Sequence, residues 1–164
     1  PLAHMKVTSP FGMRRNPKNG HIKLHTGVDL SAVVGTPVRA AASGVIMVAT
    51  YCAGYGKYVN VRHNSMTSTA YGHLSRIVVR SGQHVSRGQI LGYSGMSGYC
   101  RGAHLHYEVI RNGRHVNPLS LVRQDLQRLT GMDLAKFNRF KKEINLQVVG
   151  LSPVTSKAKS SGRA

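Results

Sequence analysis

Gly102-Ala103-His104-Leu105-His106-Tyr107-Glu108 runs on into Val109-Ile110, and the whole stretch alternates apolar and polar side chains. Such alternation reads as a β-strand, in which residues i and i+2 leave the same face. His104 and His106 are therefore neighbours on one strand face. Two imidazoles so placed suit a single metal ion and the chemistry beside it, or else they are hydrogen-bonded core histidines. The pattern alone leaves both readings open. Gly102 permits a tight entry into the strand or the close approach of another segment.

Outward from this strand the same texture continues. A chain of 164 residues with 18 glycines, no tryptophan and frequent Val/Ile/Thr/Tyr runs favours one β-rich domain with a real core. Short β-segments are predicted over 38–42, 44–50, 58–63, 70–74 and 77–80. Turn residues punctuate them at Ser43-Gly44, Ala53-Gly54, His63-Asn64-Ser65 and Ser81-Gly82. Segment 85–92 continues the pattern with Gly88 as a turn, and Arg111-Asn112-Gly113-Arg114 is a hairpin turn with an Asn-Gly signal. Regular short strands of this kind predict a mostly β fold, an antiparallel sheet or sandwich. A lipoyl carrier hairpin would need a lysine at its tip, and Ile46-Met47-Val48 has none.

After Val122 the pattern changes. Leu134, Phe137 and Ile144 fall at helical spacing behind Thr130-Gly131-Met132-Asp133, an N-cap with an acid three residues on. An amphipathic helix is expected over about 131–147, with a flexible Ser/Lys/Pro-rich tail from Ser152. The expected organisation is a domain at 6–122 and a C-terminal segment at 123–164. Pro1-Leu2-Ala3-His4-Met5 reads as a protease-site and cloning remnant. No run approaches the roughly 20 apolar residues of a membrane span, and no signal peptide is visible.

Lys and Arg number 23 against five acids, a net charge of +18. The acids are Asp29, Glu108, Asp125, Asp133 and Glu143, so only two precede the C-terminal segment. Such a body suits a polyanionic partner: nucleic acid, an anionic membrane surface or a bacterial cell wall. A nucleic-acid binder would explain the charge, but no stacking-aromatic motif is present and the histidine spacing would go unexplained. The scarcity of acids also restricts mechanism, because few carboxylates are available as ligand or general base.

His25-Thr26-Gly27-Val28-Asp29-Leu30 carries one of those two acids. His25 and Asp29 are four apart, which leaves both on one face of an extended segment, with Val28 and Leu30 turned into a core. Carboxylate and imidazole together are suitable ligands for zinc. A catalytic zinc site has three protein ligands and an open position. Asp29 with two of His25, His104 and His106 would satisfy it. No His-Glu-x-x-His is present, so histidine is the natural general base. Glu108 is expected to support a ligand or to be structural. Tyr71-Gly72-His73-Leu74 puts a further histidine on a strand with Tyr71 on its face. Arg14 and Arg15, in the turn-rich stretch through Asn16-Pro17, are candidates for anion contact. The glycine-rich stretch 94–102 opens no helix and lacks a Gly-Lys-Ser/Thr end, so it is read as a loop bordering a groove.

Taken together, His25-x-x-x-Asp29, Tyr71-Gly72-His73-Leu74 and His104-Leu105-His106 resemble the signature of the LytM/lysostaphin-type zinc endopeptidases that cut peptidoglycan. Supporting matches are Ser9-Pro10-Phe11-Gly12, Gly54-Tyr55-Gly56-Lys57-Tyr58-Val59, Val85 through Gly92, and Val116-Asn117-Pro118. The resemblance covers about 8–122. It implies that His25, Asp29 and His106 ligate zinc and that His73 and His104 are the catalytic pair. It implies a groove over an antiparallel sheet, in which Arg14, Arg15, Asn16, Tyr71 and Arg101 are candidate substrate contacts. The implied substrate is the stem peptide of peptidoglycan, cut at the D-alanyl–diaminopimelate cross-link outside the cytoplasm, in periplasm or cell envelope. The alternative is a non-catalytic wall-binding or amidase-activating relative, a class that lacks ligands; here every expected position is filled. Cys100-Arg101-Gly102-Ala103 departs from the family's frequent Ser-Thr-Gly-Pro, which bears on groove shape rather than on the metal set. Cys52 and Cys100 are two thiols or one disulfide. An extracytoplasmic setting favours the disulfide, which would contribute about 4 kcal/mol by closing a long loop.

Overall fold

The computed structural model of the protein describes residues 1–15 and 20–121. Its strands, in chain order, are β1 (Val7–Ser9), β2 (Gly12–Arg15), β3 (Ile22–His25), β4 (Val28–Ser31), β5 (Pro37–Arg39) and β6 (Gly44–Cys52). Then come β7 (Gly56–Arg62), β8 (Thr67–Ile77), β9 (His84–Val85), β10 (Ile90–Ser94), β11 (His104–Arg111) and β12 (Arg114–Val116). Ten strands join in one sheet whose main path is β1-β4-β11-β8-β7-β6-β9, while β2 and β3 form a separate ribbon. Every pairing is antiparallel. The mostly β, antiparallel fold is the one predicted.

The His104–Arg111 strand lies at the centre, paired on one side with β4 and on the other with β8. Its alternation divides the sheet into two faces. Leu105, Tyr107 and Val109 enter the core with Val28, Leu30, Val59, Val61 and Tyr71. Strand β10 pairs with both β8 and β5 and brings Leu91 and Val38 into the same core, where both are fully buried. Each such side chain contributes roughly 1.5–3 kcal/mol on burial. The opposite face carries Asp29, His104 and His106. The Asn112-Gly113 hairpin forms as expected, with φ of 50° and 72° at its two central residues, the positive values a type I′ turn requires.

Strand β8 departs from expectation. It runs unbroken over the predicted 70–74 segment to Ile77, because β7, β11 and then β10 pair along it; residues 78–80 are not strand. It also contains a bulge. Lys57 pairs with Leu74 but Val59 pairs with Tyr71, so two steps in β7 face three in β8. The extra residue falls at Gly72-His73, where His73 has φ 60°. A bulge reverses the in–out alternation beyond it. Tyr71 and His73 therefore do not share a face, and the expectation that Tyr71 borders the groove is corrected. Tyr71 is fully buried in the core; its hydroxyl accepts from the Ala41 amide (2.9 Å) and pairs with Thr69 Oγ1 (2.9 Å).

The expected helix over 131–147, the tail from Ser152 and the groove candidate Asn16 lie outside the described residues. Among the described residues no helix is long and apolar enough to cross a membrane.

Candidate active site

His25 and Asp29 do not sit on one extended segment. His25 ends β3 of the ribbon and Asp29 lies in β4 of the main sheet, with Thr26-Gly27 as the joint. Gly27 is required there, since a Cβ would stand 2.3 Å from the Tyr107 carbonyl oxygen. The joint folds His25 back over the sheet. Asp29 and His106 are direct cross-strand partners. The outcome is a buried cluster: His25 Nε2 lies 3.0 Å from Asp29 Oδ1, His106 Nδ1 lies 2.9 Å from the same oxygen, and the two nitrogens are 3.1 Å apart. These three are the described side chains whose ligand atoms lie close enough together that they could hold a metal ion.

Hydrogen-bond accounting identifies what the cluster wants. His25 Nδ1 donates to the Pro10 carbonyl at 2.7 Å, so in the neutral ring Nε2 carries a lone pair. His106 Nε2 donates to Glu108 Oε1 at 3.0 Å, so Nδ1 carries the other. Asp29 Oδ1 only accepts. Three acceptors thus converge with no donor of their own, and the donor set fits a cation such as zinc. A proton satisfies the same geometry. Burial would lower the His106 imidazole, but hydrogen bonds to Asp29 and Glu108 outweigh it and raise it to about 8. Burial would raise the Asp29 carboxyl, but hydrogen bonds from His106 and His25 hold it well below the usual carboxylate range.

Behind His106 stands Glu108, almost wholly buried. Its Oε1 accepts from His106 Nε2, from the Tyr55 hydroxyl (2.9 Å) and from the Thr26 hydroxyl, while Oε2 lies 3.5 Å from His115 Nδ1. A carboxylate on the far nitrogen fixes the tautomer and raises the basicity of a histidine ligand. Burial works against the charged form of Glu108, and the bonds from His106 and Thr26 prevail, lowering its pKa. Glu108 thus takes the supporting place expected from sequence. Tyr55 and Thr26 were not anticipated; each sits beside a recognisable motif residue, but only the fold brings them to Glu108.

His73 and His104 stand next to the cluster with ring centroids 4.7 Å apart. His73 Nδ1 donates to the Ser97 carbonyl and His104 Nδ1 to the Gly102 carbonyl, each at 2.8 Å. A ring so bonded is left, when neutral, with an Nε2 acceptor, and Nε2 of His104 lies 3.6 Å from Asp29 Oδ1. Burial, opposed by the bond to Ser97 and reinforced by His104, lowers His73 to about 4, so it is neutral near pH 7. The loop supplying Ser97 is clamped to the β6–β7 turn: Tyr99 N donates to Gly54 O (2.7 Å) and Lys57 N to Ser97 Oγ (2.9 Å).

All five residues line an open cavity of about 750 Å³. Arg14 and Arg101 line it too, as the sequence suggests, and so does Lys23. Arg15 does not: the alternation of β2 sends it outward, where Nη1 donates to Gly20 O (3.3 Å). Cys52 ends β6 and the Cys100 sulfur faces the Ser97 carbonyl (3.8 Å); the structure holds no bridge between the two.

Known proteins share this arrangement's sequence and fold. The chain is 43% identical over 132 residues to peptidoglycan DD-endopeptidase ShyC of Vibrio cholerae, covering 80% of this chain and 30% of ShyC. It is 41% identical over 157 residues to DD-carboxypeptidase/endopeptidase Mpg of Neisseria meningitidis, covering 94% of this chain and 36% of Mpg. It therefore spans about a third of the length of these relatives. The crystal structure of a zinc containing peptidase from Vibrio cholerae superposes with a TM-score of 0.68 at 36% identity, over 71% of this chain and 37% of that one. The match to Peptidase family M23 spans residues 23–118, a segment that opens just before His25 and closes after the central strand. The chain belongs to peptidase family M23.

Proposed function

We propose that this domain is a zinc-dependent endopeptidase that hydrolyses the peptide cross-links of bacterial peptidoglycan, at the D-alanyl–diaminopimelate bond and outside the cytoplasm. The observation that carries the reading is the convergence of three acceptors, His25 Nε2, Asp29 Oδ1 and His106 Nδ1, beside two histidines in one open cavity. The activities named for ShyC and Mpg support the substrate, and the basic body, +18 over the whole chain, suits anionic muramyl peptides.

His25, Asp29 and His106 would hold the ion. When bound, zinc supplies Lewis-acid polarisation of an amide carbonyl and activation of a water. The chain's own residues move the proton. The Ser97 and Gly102 carbonyls orient His73 and His104 so that each offers Nε2. One of the pair accepts the proton of the attacking water as the C–O bond forms. The resulting imidazolium returns that proton to the leaving amine as the C–N bond breaks. Histidine suits both directions because its ordinary pKa lies near neutrality. Glu108, Tyr55 and Thr26 hold His106 in one tautomer throughout. The filled ligand set favours this reading over a non-catalytic wall-binding or amidase-activating relative.

Purified sacculi digested with the zinc-loaded protein should lose cross-linked dimers in a muropeptide profile, and a chelator should prevent it. Unchanged dimers in the zinc-loaded sample would refute the reading.

A further inference from the structure

Resting on that reading, the geometry points to Arg14, seconded by Lys23, as the receptor for a free carboxylate on the carbon that bears the scissile nitrogen. Arg14 and Lys23 are direct partners in the β2–β3 ribbon, and Lys23 shares its face with His25 two residues on. Both line the cavity. Like charges placed directly opposite each other across a strand pair repel, so this face is built at a cost that an anion would relieve.

Asp29 relieves only part of it. It is the one carboxylate among the described residues lining the cavity. Its Oδ2 meets Arg14 Nη2 at 3.3 Å, but its Oδ1 is committed to His25 and His106. Arg14 Nη1 also donates to Ser9 Oγ at 2.8 Å. A guanidinium has five N–H donors in a fork that matches a carboxylate, and the side chain of Arg14 is 39% exposed. Donors therefore remain for a second carboxylate.

The position is suitable. One carboxylate, that of Asp29, spans from the metal-binding cluster to Arg14. In a departing residue with an α-carboxylate, N–Cα and Cα–C bonds of about 1.5 Å put the carboxylate carbon about 2.5 Å from the scissile nitrogen. A peptide cut at the cluster with its leaving residue toward the β2–β3 ribbon would bring that group within reach of the guanidinium. The D-centre of diaminopimelate in a cross-link carries such a carboxylate, and so does a terminal D-alanine. The inferred substrate class is any D,D-peptide whose leaving residue keeps this carboxylate free, whether cross-linked or terminal.

The test compares defined muropeptides that carry either the free carboxylate or a carboxamide at that carbon. Zinc-loaded wild type should lose about tenfold or more in kcat/KM on amidation, the scale of a charge-assisted hydrogen bond. Arg14→Gln should bring the ratio of the two substrates toward one, Arg14→Lys should restore part of it, and Lys23→Gln should lower it several-fold. A residue that merely steadied Asp29 would slow both substrates alike and leave the ratio unchanged. Equal cleavage of both forms by wild type overturns the proposal, as does an unchanged ratio in the variants. If Arg14→Gln proves inactive on both, Lys23→Gln decides by the same ratio. Failure of zinc-loaded wild type to cut either substrate overturns this proposal together with the cross-link reading beneath it.

Discussion

His25 Nε2 and His106 Nδ1 stand 3.1 Å apart, and in the neutral rings each turns a lone pair toward the other. In the neutral rings neither can donate without giving up its bond to Pro10 or Glu108. A cation or a shared proton resolves the conflict, and the consequences can be measured.

Zinc should bind stoichiometrically and raise the unfolding midpoint. At 100 times the dissociation constant the gain is about 2.7 kcal/mol. His25→Ala and His106→Ala should bind less than one equivalent in a chelator competition and show no zinc-dependent shift. A full equivalent retained by both variants would place the ion elsewhere.

In the chelator-stripped protein, stability should follow the cluster's titration. With His106 raised to about 8, its contribution is complete below its ordinary value of about 6.5 and disappears as pH passes 8. The loss over that window is on the order of 2 kcal/mol. Asp29 and Glu108, both lowered, contribute above the ordinary carboxylate range and lose that contribution as pH falls. Denaturant midpoints should peak between about pH 4.5 and 6.5. Zinc uptake below pH 8 should release a proton, visible when calorimetry is repeated in buffers of different ionisation enthalpy.

Glu108→Gln keeps an acceptor and the volume but removes the charge that His106 Nε2 meets at 3.0 Å. Zinc affinity should fall about 10–100-fold. Chelator competition reads this directly, without relying on turnover. Unaltered affinity would make Glu108 purely structural.

His73→Ala and His104→Ala should each lower kcat by roughly 10²–10⁴-fold while a full equivalent of zinc remains bound. Loss of zinc from either variant would instead place that histidine among the ligands.

Gly56→Ala should act on His73 from a distance. Gly56 has φ 68°, and a Cβ there would stand 2.4 Å from the Ser97 carbonyl carbon. Displacing Ser97 moves the carbonyl that receives His73 Nδ1. Both a lower denaturation midpoint and a lower kcat are expected, with zinc affinity preserved. A stable variant with normal kcat would separate the loop from catalysis.

The alternation of Leu105, Tyr107 and Val109 against His104 and His106 declares a strand with a core face and a chemical face, because a strand's period is two wherever the backbone is regular. Asn112-Gly113 declares its turn because few residues tolerate two positive φ values in succession. Spacing points to His25, Asp29, His104 and His106, the family resemblance adds His73, and all five line one cavity.

Irregularity is where local rules stop. The bulge at Gly72-His73 reverses a parity that the sequence states plainly, burying Tyr71 and delivering His73 to the groove. No local pattern announces it, since it depends on how β8 registers with β7. The joint at Thr26-Gly27 is similar: a four-residue spacing read as one face becomes two strands in different sheets, and His25 reaches Asp29 by folding back. The support of His106 by Tyr55, Thr26 and Glu108 lies further still from local reading. A hydrogen bond is satisfied by distance in space, and chain separation carries no trace of it. Local pattern is enough to find the His104–Arg111 strand, its core face and five candidate site residues; which nitrogen each histidine presents is settled by the fold, because that choice belongs to the carbonyl or carboxylate waiting at the other end of the ring.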